Sequence, residues 1–204
     1  MKKRIFIYGD SNTWGYIPRG NEDNNIKERY DLSDRWYSTL LDEFECIVDG
    51  ANGRAIGYDH PVYPNRNALK TINDDLKDVN NIDLAIIYLG TNDFKEEYLA
   101  TIQDIKNNLD KLINIIINKL NSKIMIIAPS KIKKCENTIN QYGLDFENKP
   151  LELEKAYKEY ATINNYLFAS AIEASIGIDG EHMTKSGHKY LGEIVKKVIK
   201  NSCN

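Results

Sequence analysis

The feature that most constrains the fold is an alternation of short apolar runs with longer segments of helical periodicity. Five runs are rich in β-branched or aromatic residues: 4–8, 45–48, 84–89, 123–128 and, more weakly, 166–169. This order is typical of βαβ units and predicts an α/β fold. The runs 84–89 and 123–128 are apolar on both alternations, as expected of central parallel strands that helices cover on both faces.

The segments between these runs carry the helical patterns. Apolar residues recur at helical spacing from Ile102 to Leu120 and predict one buried stripe on a helix over 101–121. Weaker patterns predict further helices over 35–44, 67–78, 151–164 and from Thr184 onward. Segment 129–150 lacks a clear period and carries several lysines, so we expect an excursion over the sheet edge.

Composition limits the class of protein. The 204 residues suit a single domain spanning 1–204, and 27 Lys and Arg against 30 Asp and Glu leave a net charge of −3, which predicts no nucleic-acid or membrane partner. No apolar run approaches the roughly 20 residues of a membrane-spanning helix. The three cysteines, Cys46, Cys135 and Cys203, have no C-x-x-C spacing, which disfavours a disulfide framework or a cysteine zinc site. We therefore expect a reducing, cytoplasmic compartment.

Polar residues follow the predicted strands at their carboxyl ends, where open α/β sheets bind ligands. Ser11 lies in a Gly-flanked turn after the first strand and can expose its hydroxyl at the start of a helix. Gly53 follows the second strand and lets backbone N–H groups approach a ligand, and Asn92 follows the third and can present its amide. Taken singly, each fragment also suits an N-cap serine, an ordinary turn or an Asx-turn.

A fourth loop, near the C-terminus, places Asp179 three residues before His182. An acid there can accept the Nδ1–H of the histidine and leave Nε2 free as a base. Together the four loops predict an acyl-transfer site, with Ser11 as nucleophile, His182 as base and Asp179 as orienting acid. The expected oxyanion donors are the backbone N–H groups of Ser11 and Gly53 and the side chain of Asn92.

These motifs resemble the four blocks of the SGNH (GDSL-type) hydrolases, in the order of that family. The blocks are Gly9-Asp10-Ser11, Gly53, Gly90-Thr91-Asn92-Asp93 and Asp179-x-x-His182. The stretches 9–15, 35–36, 52–54 and 58–61 are similar to the arylesterase/acyltransferase branch. The resemblance puts the family's nucleophile on Ser11, its oxyanion donors on Gly53 and Asn92, and its acid and base on Asp179 and His182.

The resemblance also implies a fold and a chemistry. The implied fold is a three-layer α/β/α sandwich around a mostly five-stranded, flavodoxin-like parallel sheet. The implied chemistry is ester hydrolysis without a metal or other cofactor, and relatives of this branch suggest a homo-oligomer. The sequence departs from the pattern of this branch at two places. Ala55 stands where members of the branch often have Thr, and Glu181 and Met183 flank His182 where their neighbours of this histidine are more apolar. The first puts the shape of the pocket in doubt, and the second at most tunes the base.

Other residues keep two interpretations. Trp14 and Arg54 are candidate substrate-binding residues, although packing of the tryptophan and structural hydrogen bonding by the arginine explain them as well. His60 is interpreted as a loop residue and His188 as a packing histidine. The stretch around Lys131 is interpreted as a solvated face, with a lid as the alternative.

The predicted function is a serine esterase for short-chain acyl esters, either aryl esters or acetylated carbohydrates, with acyl transfer to other acceptors left open. A small-molecule ester is thus the expected partner. Within the same family, a lysophospholipase or thioesterase is the alternative. A rival of another class is a flavodoxin-like module for FMN or phosphate, because a Ser/Thr/Asn loop after a first strand can cradle a phosphate. That rival leaves Asp179 and His182 without a role.

Overall fold

The computed structural model describes residues 2–19 and 28–202, and in this part of the chain five strands form one parallel sheet. The strands are β1 Arg4–Gly9, β2 Glu45–Gly50, β3 Leu84–Tyr88, β4 Lys123–Ala128 and β5 Leu167–Ser170. The described α-helices are α1 Ser11–Trp14, α2 Ala68–Asp75, α3 Ile102–Leu120, α4 Glu136–Tyr142, α5 Lys149–Ile163 and α6 Lys185–Asn201. The predicted α/β class and five-stranded parallel sheet are confirmed, and the strand ends differ from the predicted ones by at most two residues.

The sheet order is β2-β1-β3-β4-β5, which is the flavodoxin-like order. The chain first adds β2 on one side of β1 and then continues on the other side with β3, so the order reverses between β1 and β3. Loops that leave adjacent strands at such a reversal diverge and open a crevice at the carboxyl edge of the sheet. The fold therefore directs the loops after β1, β2 and β3 to one place.

Apolar side chains fill both sides of the sheet and make three layers. In β3, Ala85 and Ile87 belong to the core beneath α2, α3 and α5, whereas Ile86 and Tyr88 belong to the core beneath α6. This explains why the strand is apolar on both alternations. The predicted stripe of α3 is buried in the first core through Ile105, Leu109, Leu112, Ile113 and Ile116.

The helix predicted over 35–44 is present only in part, as the 3-10 helix Trp36–Leu40 and not as an α-helix. Its packing against α6 decides the local conformation. The backbone N–H of Trp36 donates to Nδ1 of His188 on α6, at 3.3 Å. Burial lowers the pKa of His188 to about 3, so its ring stays neutral and can accept this bond. The prediction of His188 as a packing residue is confirmed.

Segment 129–150 is not wholly irregular, since it contains the short helix α4, which the sequence pattern did not predict. The side chains of Cys135 and Asn137 donate to the carbonyl oxygen of Asp179, at 3.3 and 3.1 Å. The excursion is thus tied to the loop that carries the predicted acid. Lys131 pairs with Glu173 at the surface, at 2.8 Å, which confirms the solvated face. Within 2–19 and 28–202, none of the helices combines the length and apolarity needed to cross a membrane.

Candidate active site

The turn after β1 presents Ser11 at the start of the one-turn helix α1. Asp10 caps this turn, because its carboxylate accepts the backbone N–H of Asn12 at 2.9 Å. Gly9 permits the tight approach, since a Cβ there would lie 2.1 Å from Oγ1 of Thr13. Ser11 is 8% exposed. The local sequence therefore fixes the hydroxyl of Ser11 at the carboxyl edge of the sheet.

His182 reaches this hydroxyl from the loop before α6. Its Nε2 lies 2.8 Å from Oγ of Ser11, and its Nδ1 lies 2.7 Å from Oδ2 of Asp179. The other oxygen of Asp179 accepts the backbone N–H groups of Glu181 and His182, at 3.2 and 3.1 Å. Burial opposes ionisation of Asp179, but the His182 imidazole and these donors lower its pKa overall. The acid is thus a carboxylate, and the proton between the two side chains belongs on Nδ1.

Asn12 joins the turn that holds Ser11 to the loop that holds His182. Its side-chain oxygen accepts the N–H of Met183 at 2.9 Å, and its amide donates to the carbonyl of Glu181 at 3.4 Å. Two bonds from one side chain to both neighbours of His182 set the distance between Ser11 and the imidazole. Asn12 was not among the predicted site residues, although its place beside Ser11 is the signal that could have found it.

The predicted oxyanion donors Gly53 and Asn92 line the same cleft as Ser11 and His182. Gly53 adopts a φ of +75°, which favours glycine. The amide nitrogen of Asn92 donates one hydrogen to the carbonyl of Arg54, at 3.1 Å. An amide has two N–H bonds, so the second remains for a ligand in the cleft.

Asp93 joins the loops that carry the predicted oxyanion donors Gly53 and Asn92. Its carboxylate is fully buried and accepts the N–H groups of Ile56 at 2.9 Å and Gly57 at 3.3 Å. Burial raises its pKa to about 7, against the effect of these donors. Because Asp93 follows Asn92 and accepts from the backbone just beyond Gly53, it fixes the distance between these two predicted donors.

We expect Asn92→Ala to lower kcat for an aryl acetate by about 100- to 1000-fold, the cost of losing one oxyanion donor, with little change in KM. The reason is that the amide would act on the charge that develops in the transition state. Steady-state kinetics measure the effect, and Asn114→Ala on the exposed face of α3 is the matched control. A loss of less than about threefold in Asn92→Ala would remove Asn92 from the oxyanion site.

The cleft has a volume of about 350 Å³. The polar side chains that line it without having been predicted to do so include Tyr16, Asn52, Arg66, Lys95, Gln141 and Glu181. Tyr16 packs its ring against the imidazole of His182, with 4.4 Å between ring centres. His60 and Tyr63 also line the cleft. The interpretation of His60 as a loop residue was therefore incomplete.

Neither residue predicted to bind substrate, Trp14 or Arg54, lines this cleft. Arg54 is 4% exposed, and its guanidinium donates to the carbonyl of Gly9 and the carboxylate of Asp49, at 3.0 and 2.9 Å. It also covers the ring of Tyr8 at 4.0 Å. These contacts support the alternative interpretation, in which Arg54 is structural and holds the carboxyl ends of β1 and β2 together.

Glu181 places a second carboxylate at the base. Its Oε1 lies 3.5 Å from Nε2 of His182, and its Oε2 accepts the hydroxyl of Tyr142 at 2.6 Å. Burial lowers the pKa of His182, but Glu181, Asp179 and, more weakly, Asp10 together raise it above the ordinary value. Glu181 therefore favours the imidazolium over the neutral base.

We expect Glu181→Gln to move the acidic limb of the kcat/KM–pH profile to lower pH. The histidine must be neutral to accept the serine proton, and loss of the Glu181 charge lowers the pKa at which it becomes neutral. The profile of an aryl acetate measures the shift, with Glu193→Gln, an exposed change on α6, as control. A profile that stays in place, or moves to higher pH, would contradict this role of Glu181.

The chain is similar to a known protein family and to several solved structures. The family model of GDSL-like lipase/acylhydrolase matches residues 5–195. A solved structure of an aryl esterase from M. smegmatis is 27% identical, with a TM-score of 0.88 over 98% of this chain and 99% of that one. Est24, a carbohydrate acetylesterase from Sinorhizobium meliloti, is 26% identical, with a TM-score of 0.87 over 99% of both chains.

A more distant likeness concerns the fold alone. The lipase/acylhydrolase from Enterococcus faecalis is 20% identical, with a TM-score of 0.70 over 98% of this chain and 96% of that one. No curated protein sequence matches the chain. The match of the family model over nearly the whole length decides the family: the chain belongs to the GDSL-like lipase/acylhydrolase family of carboxylic ester hydrolases.

Proposed function

We propose that the protein is a serine esterase that hydrolyses short-chain acyl esters through a Ser11–His182–Asp179 triad and an acyl-enzyme. The observation that carries the proposal is the unbroken chain of hydrogen bonds from Oγ of Ser11 to the carboxylate of Asp179, at 2.8 and 2.7 Å. The same order of groups activates serine nucleophiles on unrelated folds.

The first half-reaction is acylation. Nε2 of His182 removes the hydroxyl proton as Oγ of Ser11 attacks the ester carbonyl carbon. The carbonyl oxygen becomes an oxyanion, which the N–H groups of Ser11, Gly53 and Asn92 stabilise. When the tetrahedral intermediate collapses, the bond to the alcohol oxygen breaks, and the imidazolium returns its proton to the departing alcohol.

The second half-reaction releases the acyl group. His182 removes a proton from water, the hydroxide attacks the acyl carbon, and Ser11 leaves with the proton from the imidazolium. Acyl transfer follows the same steps with an alcohol in place of water, and the polar lining of the cleft suits a hydroxylated acceptor.

The lining also bears on the substrate. Charged and hydrogen-bonding side chains dominate the cleft, which disfavours the long acyl chains of a lysophospholipase substrate and suits small or polar esters. The names of two relatives, an aryl esterase and a carbohydrate acetylesterase, support aryl esters and acetylated sugars as the substrates to test first. The hydrogen bond between the hydroxyl of Ser11 and His182 speaks against the FMN- or phosphate-binding rival, because that rival gives the hydroxyl to a phosphate and leaves His182 and Asp179 without a role.

Trapping the intermediate tests the proposal. The protein is mixed with 4-nitrophenyl acetate, quenched with acid during turnover, digested and analysed by mass spectrometry. We expect the peptide that contains Ser11 to gain one acetyl group on that residue, and we expect no gain without substrate. An acetyl group that appears only on another residue, or no acetyl group despite a burst of nitrophenol, would refute the acyl-enzyme at Ser11.

A further inference from the structure

One wall of the cleft carries positively charged side chains that no carboxylate of the described residues contacts directly. The wall consists of His60 and Arg66, from the loop after β2, and Lys95, from the loop after β3; we call it the cationic wall. Nε of Arg66 donates to the carbonyl of Asn52 at 2.7 Å. Within residues 2–19 and 28–202, neither Lys95 nor Arg66 has a carboxylate within 4.0 Å. Two cations therefore line a substrate-sized cleft without a carboxylate in direct contact.

The protonation of His60 sharpens this imbalance. Its Nδ1 accepts the backbone N–H groups of Val62 and Tyr63, both at 3.1 Å. A ring nitrogen that accepts hydrogen bonds carries no proton, so the proton of the neutral ring is on Nε2. Nε2 lies 3.0 Å from Nζ of Lys95, whose ammonium is also a donor. Two donors thus face each other with no acceptor between them.

The electrostatics agree with the geometry. Burial lowers the pKa of Lys95 overall, although the charges of Glu181 and Glu97 act against it. Burial together with the Lys95 charge lowers the pKa of His60, against the effect of Glu97. An anionic oxygen beside both groups would accept from both and reverse these effects. Glu181 acts on Lys95 only at a distance: its charge raises the pKa of Lys95, but its carboxylate accepts from Tyr142 and lies 3.5 Å from Nε2 of His182, with no contact to the Lys95 ammonium within 4.0 Å.

The cationic wall adjoins the oxyanion donors. A Cβ on Gly53 would lie 2.9 Å from Cδ2 of the His60 ring, so the imidazole packs directly on this donor. A substrate whose carbonyl oxygen points at Gly53 and Asn92 therefore brings its neighbouring atoms to the wall. Those atoms belong either to the acyl group or to the alcohol.

We propose that the cationic wall binds a negatively charged group of the substrate, so that the preferred esters carry a carboxylate or a similar oxyanion. The inference rests on the proposed esterase function and narrows its substrate class. In such a complex, the anion accepts hydrogen bonds from the Lys95 ammonium and Nε2–H of His60, and the ester group stays uncharged beside Ser11.

Two matched pairs of esters test the proposal and locate the charge. For the acyl side, the 4-nitrophenyl monoester of succinate is compared with its methyl ester. For the alcohol side, 4-acetoxybenzoate is compared with its methyl ester. We expect kcat/KM to favour the charged ester in one of the two pairs by about 10-fold or more, as for one charge-assisted hydrogen bond. A ratio near one in both pairs would overturn the proposal.

Variants of Lys95 test whether this residue causes the preference for the charged ester. We expect Lys95→Gln to lower the ratio of charged to neutral ester by about 10-fold, Lys95→Arg to keep most of it, and Lys111→Gln, on the exposed face of α3, to leave it unchanged. A variant with general damage to its fold would have a lower kcat/KM for both esters, and the ratio between them would not change. An unchanged ratio in Lys95→Gln, with or without an equal loss for both esters, would overturn the proposed anion site.

A binding measurement separates this proposal from the proposed function. Calorimetric titration of Ser11→Ala with 4-acetoxybenzoate or the succinate monoester needs no turnover. We expect the preferred ester to bind Ser11→Ala about 10-fold more tightly than it binds the double variant with Lys95→Gln. Equal affinities would overturn the anion site. Undiminished hydrolysis by Ser11→Ala would instead refute the proposed nucleophile and leave the binding result standing.

Discussion

Replacing Ser11 with alanine is expected to lower kcat for 4-nitrophenyl acetate by about 10⁵- to 10⁶-fold, the largest effect among the single changes considered. The variant keeps the oxyanion donors but has no group that can form the acyl-enzyme. Water would have to attack without the positioned nucleophile, so only the contribution of binding and oxyanion stabilisation remains. We expect the fold to tolerate the change, because it removes a single oxygen atom whose hydrogen bond goes to the site residue His182.

The measurement is steady-state release of 4-nitrophenolate by purified wild type and variant, with circular dichroism to confirm folding. Ser122→Ala is the matched control, because Ser122 directly precedes β4 and lies at the amino end of the sheet, opposite the cleft. We expect the control to retain its activity. If Ser11→Ala kept more than about 1% of kcat, another nucleophile would have to be sought.

The places of the predicted site residues could be read from the sequence, because each of these residues lies in a loop that the strand pattern locates. Parallel strands bring their carboxyl ends to one edge, so Ser11, Asn92 and Gly53 must meet there once the strands are known. His182 follows the last strand and precedes a helix whose N-cap, Thr184, is evident in the sequence. Motif and topology thus converge on the same residues.

The remaining walls of the cleft were not predictable in the same way. Lys95 and Arg66 lie in loops whose residues follow no period, and their approach to the cleft depends on turns that only tertiary contacts fix. The carboxylate of Glu181 was visible in the sequence, but its bond to Tyr142 depends on α4, which lies in the aperiodic segment. Long loops with polar composition carry little information about where their side chains point.

The difference between the helix predicted over 35–44 and the observed 3-10 helix has a similar cause. The pattern over 35–44 contains buried aromatic and aliphatic residues, as an amphipathic helix would. The backbone of this segment instead packs closely against α6 at Gly192. A Cβ on Gly192 would lie 2.3 Å from the carbonyl oxygen of Trp36, so only glycine permits this approach. A tertiary contact thereby replaces an α-helical turn with a tighter 3-10 turn, which local propensity alone does not encode.

Asp179 offers the other large effect, because its two oxygens have different partners. Oδ1 accepts two backbone N–H groups, and Oδ2 accepts Nδ1–H of His182. In Asp179→Asn, the two backbone donors require the amide oxygen at the Oδ1 position. The NH₂ group must then face Nδ1 and donate to it. The imidazole proton is thereby forced onto Nε2, the atom that has to accept the proton of Ser11.

We therefore expect Asp179→Asn to lower kcat for 4-nitrophenyl acetate by about 10⁴-fold at neutral pH, with little change in KM, because the fold is kept but the base carries its proton on the wrong nitrogen. Steady-state kinetics measure the loss, and Asp78→Asn, an exposed change of the same kind, is the control. The histidine NH resonances give a second readout, since the proton on His182 should move from Nδ1 to Nε2. A variant with the proton still on Nδ1, or with activity within about tenfold of wild type, would show that Asp179 does not set the tautomer of the base.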